Sequence, residues 1–350
     1  MSEIDLPKRL LHLYAVFVAV AVLVLICSGG LVTSHEAGMA VPDWPNSFGY
    51  NMFLFPMSKW IGGIFYEHTH RLIASTVGLL TLALCAMTLM IEERSWVKWM
   101  SAIAVLAVVT QGVLGGLRVT EHNQLLGLFH ACLAQGFFAL VATIAFVTSP
   151  FWRTIPSRDA VGMRSTPSDT ILHKSRISAI ALTLAIFVQL ALGAAMRHSH
   201  AGLSIPDYPT VYGGLFPPVS ADAIAKINAA RSATQQPITS GLIWLQYIHR
   251  FLALCISIEV IRSAVRLLRL PNLLGPIRFV AGGWIALVIV QVALGAWTVW
   301  SNKAADIATA HVLVGALTLV TSVLLSVTLS RMLWKAEVPI GQLNHAVSRA

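Results

Sequence analysis

Apolar residues fall in long runs along this chain, broken by short polar stretches. Eight runs stand out, at about 11–33, 62–91, 98–118, 123–148, 173–196, 241–267, 276–300 and 304–333. Each holds roughly 20 residues or more, enough for a helix to cross a ~30 Å hydrocarbon core. The pattern predicts an all-α integral membrane protein with eight transmembrane helices. The first run is too long, and lacks too clearly a cleavage site, for a removed signal peptide, and Met1 to Arg9 has no Arg/Ser-rich transit character. It is expected to be a retained first span.

The polar stretches carry a second pattern. A connection at about 149–172 contains Pro150, Pro156 and Pro167 and reads as a linker between an N-terminal half, 1–148, and a C-terminal half, 173–350. The halves repeat each other. Pro42-Asp43-Trp44-Pro45 matches Pro206-Asp207-Tyr208-Pro209, Ala37-Gly38 matches Ala201-Gly202, and His70-Arg71 matches His249-Arg250. Further on, Gln111, Leu114 and Gly115 align with Gln291, Leu294 and Gly295, and His130 with His311. Four spans per half is an even number, so the two pseudo-symmetric four-helix bundles are expected in parallel repeat, about an axis along the membrane normal.

Composition supports this and removes an alternative. With 56% hydrophobic and 11% charged residues the chain is no ordinary soluble domain. The formal charge of +9 lies scattered through loops rather than on one basic face, which argues against nucleic acid. Of 24 lysines and arginines, two (Arg71 and Arg250) fall within spans; sixteen fall on the side of the N-terminus and six opposite. Both termini are therefore expected to be cytoplasmic. Cys27, Cys85, Cys132 and Cys255 all lie inside apolar runs, so no disulfide framework or cysteine metal site is expected.

Ionisable residues at lipid depth are costly, so they mark candidate sites. Glu67-His68-Thr69-His70-Arg71 opens the second span, and Gln246-Tyr247-Ile248-His249-Arg250 echoes it in the sixth. His70, His130, His249 and His311 occupy the second, fourth, sixth and eighth spans at matched depth, about 10–13 Å below the outer ends at 1.5 Å per residue. Two histidines per half predict two bis-imidazole sites. Tetrahedral metal would want more ligands, whereas facing histidines suit axial ligation of haem iron. Arg71, Arg250 and Arg118 are candidate propionate contacts. Gln111, Gln291 and Gln246 are candidate haem-edge contacts, although interhelical hydrogen bonding is the plainer reading for the first two. The Pro-Asp-aromatic-Pro loops read first as turns and interface anchors. His35, His68, His122, His198 and His200 are expected to be solvent or interface residues, and Gly29-Gly30 and Gly62-Gly63 close-packing positions.

The repeat breaks beside the ligands, with Glu67 in one half and Gln246 in the other. A carboxylate can hold a proton or stabilise developing positive charge, and an amide cannot. The first half is thus the candidate for chemistry and the second for electron transfer, with Glu67 the candidate catalytic residue. An ion pair between Glu67 and a nearby arginine is the plainer alternative.

Eight spans, Glu67-x-x-His70-Arg71, His249-Arg250, His130 and His311 together resemble the haem A synthase family, over nearly the whole chain outside the termini and linker. The resemblance implies oxidation of a ring methyl of haem O to a formyl group, giving haem A for terminal oxidases. It implies haem O as substrate on His70 and His130, haem B as cofactor on His249 and His311, and a multi-pass protein of a bacterial inner membrane. Partners in keeping with it are the lipid bilayer, haem O synthase, terminal oxidase assembly factors and a second copy in a homo-oligomer. Some members carry a cysteine pair in an outer loop. Ser34 to Trp60 has none, so a mechanism needing that pair is excluded. The competing readings are a non-catalytic di-haem b-type electron-transfer protein and, behind it, a transporter of haem or another hydrophobic substrate.

Overall fold

A computed structural model describes residues 6–155, 167–232, 236–271 and 273–333. Eight long helices follow the apolar runs: α1 (Leu6–Ser34), α2 (Gly63–Ile91), α3 (Ser95–Thr120), α4 (Gln124–Val147), α6 (Pro167–His198), α8 (Ser240–Leu268), α9 (Gly275–Trp300) and α10 (Ala305–Met332). Two short helices, α5 (Pro150–Thr154) and α7 (Ala221–Ala229), lie in the connections. Side-chain caps fix several starts: Asn123 accepts from the Leu125 amide at α4, Ser220 from Ala223 at α7 and Thr239 from Leu242 at α8.

Among the described residues, seven helices are long and apolar enough to cross a membrane. The remaining expected span, the sixth, is α8, which matches them in length at 29 residues but is not among them. Gln246, His249 and Arg250 interrupt its first half, and Glu259, Arg262 and Arg266 its second. Of the linker, Pro150–Thr154 folds as α5, whose own Trp152 is buried, and α6 begins at Pro167, ahead of the expected start. Pro156, Arg158 and Arg164, like Lys335, His345 and Arg349 beyond α10, lie outside the described residues.

Helices α1–α4 pack as one ring, α1 on α2 and α4, and α3 on α2 and α4. Helices α6, α8, α9 and α10 pack as another, α6 on α8 and α10, and α9 on α8 and α10. The rings meet through α1–α10, α4–α10 and α4–α6. Their apolar cores merge, since Ala316 and Val320 of α10 join Val18, Val22 and Val141 in the first. Buried hydroxyls turn back on their own helices, as Thr81 does to Val77 O and Thr88 to Leu84 O, both at 2.7 Å. Others cross between helices: Thr183 Oγ1 lies 2.8 Å from Ser322 Oγ. Gly30 lets α1 approach α10 so closely that a Cβ there would sit 2.8 Å from Thr309 Cγ2.

Gly30→Val forces side chain into this contact and should destabilise the protein by about 1–3 kcal/mol, the usual penalty for overpacking. Gly78→Val points into open space and should leave the thermal midpoint of the detergent-solubilised protein unchanged. Equal midpoints for the two variants would contradict the close α1–α10 packing.

Candidate functional site

The site is built from the loop that follows α1, the loop that follows α6, and the first turns of α2, α4, α8 and α10. The two loops are folded alike around an aspartate. Asp43 accepts the amides of Phe48 and Gly49, each at 2.7 Å, and Asp207 those of Tyr212 at 2.7 Å and Gly213 at 2.9 Å. Both contain a cis proline, Trp44–Pro45 and Tyr208–Pro209, and both turn through a residue pair of positive φ, Phe48-Gly49 and Tyr212-Gly213. The glycine of each pair meets this at no steric penalty. Burial alone would raise the Asp43 carboxyl; the Gly49 and Phe48 amides outweigh it and hold the pKa below the ordinary value. Asp207 is lowered in the same way, against burial, by Gly213, Thr210 and Tyr212.

Each loop is pinned to the helix that follows it by an arginine. Arg71 donates to the carbonyls of Asp43 (2.7 Å), Asn46 (3.1 Å) and Val41 (2.8 Å), and Arg250 to those of Asp207 (2.7 Å), Thr210 (3.3 Å) and Ile205 (3.0 Å). Two of the three residues expected as propionate contacts therefore spend donors on loop backbone. The neighbouring position does matched work: Glu67 Oε2 accepts the Val41 amide at 2.8 Å, and Gln246 Oε1 the Ile205 amide at 2.6 Å. Glu67 adds an ion pair to Arg71 at 2.7 Å, the plainer alternative weighed for it, and is 4% exposed.

The four histidines lie in the second or third turn of their helices, and a glycine of the preceding long helix seats each ring. A Cβ would lie 3.0 Å from His70 at Gly29, 3.2 Å from His130 at Gly115, 3.3 Å from His249 at Gly193 and 3.1 Å from His311 at Gly295. His70 and His130 are close enough for their ring charges to interact, as are His249 and His311. All four rings are only half-buried. His130 Nδ1 lies 3.1 Å from the Gln111 carbonyl and His249 Nδ1 3.1 Å from Gln189 Nε2. The Gln111 carbonyl accepts from His130 Nδ1 and leaves Nε2 as the nitrogen a metal would take, whereas Gln189 Nε2 donates to His249 Nδ1 and so puts the proton of that neutral ring on Nε2. His311 Nδ1 sits beside the Gln291 backbone without a hydrogen bond of good geometry, and His70 Nδ1 is buried without a partner. Paired, glycine-seated imidazoles of this kind fit axial haem ligation.

Gln111 also donates to the His130 carbonyl at 3.1 Å, so it supports the ligand rather than standing apart from it. Gln189, which the residue pattern did not single out, does the same for His249 at 2.9 Å; the signal was an amide within an apolar run. Glycines at 115 and 295 were visible as a repeat match, but their task was not. His68 departs from expectation. It is fully buried, 3.2 Å from Ser47 Oγ, and boxed by Phe55 and Trp60, because the loop folds back over α2. His35 stacks on Tyr66 at 4.0 Å, while His122 and His200 are exposed. Gly62 is no packing position: nothing lies within 4 Å, and its φ of 56° turns the chain into α2.

A family model, COX15-CtaA, described as cytochrome oxidase assembly protein, matches residues 12–323. A protein named heme A synthase from Exiguobacterium sibiricum is 25% identical over 315 residues, 87% of this chain and 90% of that one. Others of that name, from Halalkalibacterium halodurans and Listeria monocytogenes, are 27% and 26% identical over 216 and 219 residues, in each case 61% of this chain and 67% of the relative.

Glu67→Ala strands both the Arg71 guanidinium and the Val41 amide and should lower stability by about 1–3 kcal/mol. Glu67→Gln, which installs the side chain that Gln246 already uses, should retain most of it, as thermal unfolding and protease nicking of the 35–62 loop would show. The aspartates set the acid limit. Their lowered native pKa means that the loops hold above the ordinary carboxylate pKa and loosen as pH falls through the lower native value. Asp43→Asn should remove that dependence from the first loop's nicking rate.

Proposed function

This chain belongs to the COX15-CtaA family of cytochrome oxidase assembly proteins, and we propose how its residues serve that membership. It is an oxidoreductase of haem A biosynthesis, with the activity of a haem A synthase. The single observation that carries the site assignment is the two pairs of half-buried histidines, each ring seated on a glycine.

In this reading 1–148 and 173–350 are two four-helix halves in parallel repeat, joined by 149–172, and α8 spans the membrane with the other seven. His70 and His130 hold the substrate, haem O. His249 and His311 hold a resident haem B, which supplies one-electron transfer when bound. Gln111 and Gln189 orient His130 and His249 through Nδ1 and the backbone. The apolar helices exclude water from the macrocycles and admit the isoprenoid tail of haem O from lipid. The excess of lysine and arginine opposite the loops supports loops outside a bacterial inner membrane and both termini in the cytoplasm.

Glu67 is assigned to the chemistry because its counterpart Gln246 makes the same backbone bond without charge. Turning a ring methyl into a formyl group adds one oxygen atom and, with that oxygen counted at the level of water, removes four electrons and four protons (R–CH3 + H2O → R–CHO + 4 H+ + 4 e−). Glu67 Oε1 accepts a proton or stabilises positive charge there, while the Val41, Asp43 and Asn46 carbonyls keep Arg71 in place.

Haem extraction and chromatography test this in membranes that contain a source of haem O. Wild type should yield haem A, and His70→Ala none. Glu67→Gln should keep both haem spectra and lose haem A formation by at least about 100-fold, the scale of a lost acid–base group. His249→Ala should lose the resident haem spectrum. Full activity in Glu67→Gln would end the catalytic assignment and leave the residue as a loop anchor.

A further inference from the structure

Arg118, in the last turn of α3, has no hydrogen bond or ion pair among the described residues, although it is only half-exposed. The nearest carboxylate, Glu67, attracts it but is committed to Arg71 and the Val41 amide. Space has been left for the guanidinium on two sides. A Cβ at Gly38 would lie 2.5 Å from Nη2, and one at Gly127 would lie 3.0 Å from Nε. The same Gly127 position is met from the opposite side by His198, whose Cε1 would be 2.7 Å away. His198 belongs to α6, in the other ring of helices. The Arg118 guanidinium and the His198 imidazole both lie within electrostatic reach of His130.

In the second ring the two positions that correspond to Arg118 and His198 hold neutral residues. By the register of Gln111 with Gln291 and Gly115 with Gly295, Thr298 stands where Arg118 does. By that of Ala37-Gly38 with Ala201-Gly202, Ser34 stands for His198, and its Oγ lies 3.3 Å from Thr309 Oγ1. The cation on that side, Arg197, is already used: it donates to Gly30 O at 2.8 Å and to Ser34 Oγ. An uncommitted guanidinium converging with an imidazole calls for an anion with more than one acceptor oxygen, for which the planar fork of arginine is suited.

We propose that Arg118 and His198, from opposite four-helix sets, form one seat for a carboxylate of the substrate porphyrin beside His130. The substrate site is then completed by the second half, and it exists only when α6 is docked on α4. This rests on the reading that His70 and His130 hold a porphyrin.

The test is a spectroscopic titration of the intact protein, its second site filled, with haem O and with haem O dimethyl ester, whose carboxylates are blocked. His70→Ala supplies the background for the first site. Wild type should bind the free acid about tenfold or more tightly than the ester, the value of one charge-assisted bond. Arg118→Gln should abolish most of that preference and His198→Asn a substantial part, with the ester affinity little changed. A porphyrin bound equally well in both forms overturns the seat alone. Loss of the preference in Arg118→Gln but not in His198→Asn overturns the sharing between halves. No first-site spectrum with either probe overturns the porphyrin reading and the seat with it.

Discussion

An arginine placed inside a membrane helix must have its donors met, and the loops of this protein are folded around that requirement. Arg71 and Arg250 each reach back to three carbonyls of the loop before their helix. An unmet guanidinium at such depth costs several kcal/mol, so the loop geometry follows: an aspartate gathering two amides, a cis proline and a left-handed pair that turns the carbonyls inward. Glu67 and Gln246 close the remaining amide. The loops thereby become rigid roofs, and the histidine one turn further in is held at a constant height below each.

Beneath the roofs, packing decides where the rings point. A histidine on a helix surface has several rotamers, and a glycine on the facing helix removes the competitor for one of them. The four glycine seats, one on each of α1, α3, α6 and α9, convert four separate helix contacts into two matched pairs of imidazoles. The same device serves all four, so the two histidine pairs share one geometry.

Difference enters through charge. The ring of α1–α4 has Glu67, Arg118 and, across the seam, His198; the other has Gln246, Thr298 and Ser34 at the corresponding positions. Substituting an amide for a carboxylate keeps the hydrogen bond and removes proton and charge, which leaves binding intact while withdrawing reactivity. On the proposed reading, the protein pairs a reactive site with a quiet one at little change to its scaffold.

Much of this was legible in the residues themselves. Helix positions followed from apolar runs, since burial in lipid acts on each segment almost independently of its neighbours, and predicted and observed ends agree closely for α2, α4 and α9. The four histidines, the loop match and the Glu67/Gln246 break were equally plain, because repetition marks positions without reference to contacts. Contacts were another matter. Whether Arg71 faced a ligand or a loop, whether Glu67 was free or paired, and whether His68 met solvent or lay under Phe55 and Trp60 all depend on how the 35–62 chain folds back over α2. His198 and Arg118, eighty residues apart, meet only because α6 docks on α4. Local periodicity settles what each helix is; the meeting of side chains from distant segments is a property of packing, and no single stretch of sequence carries it.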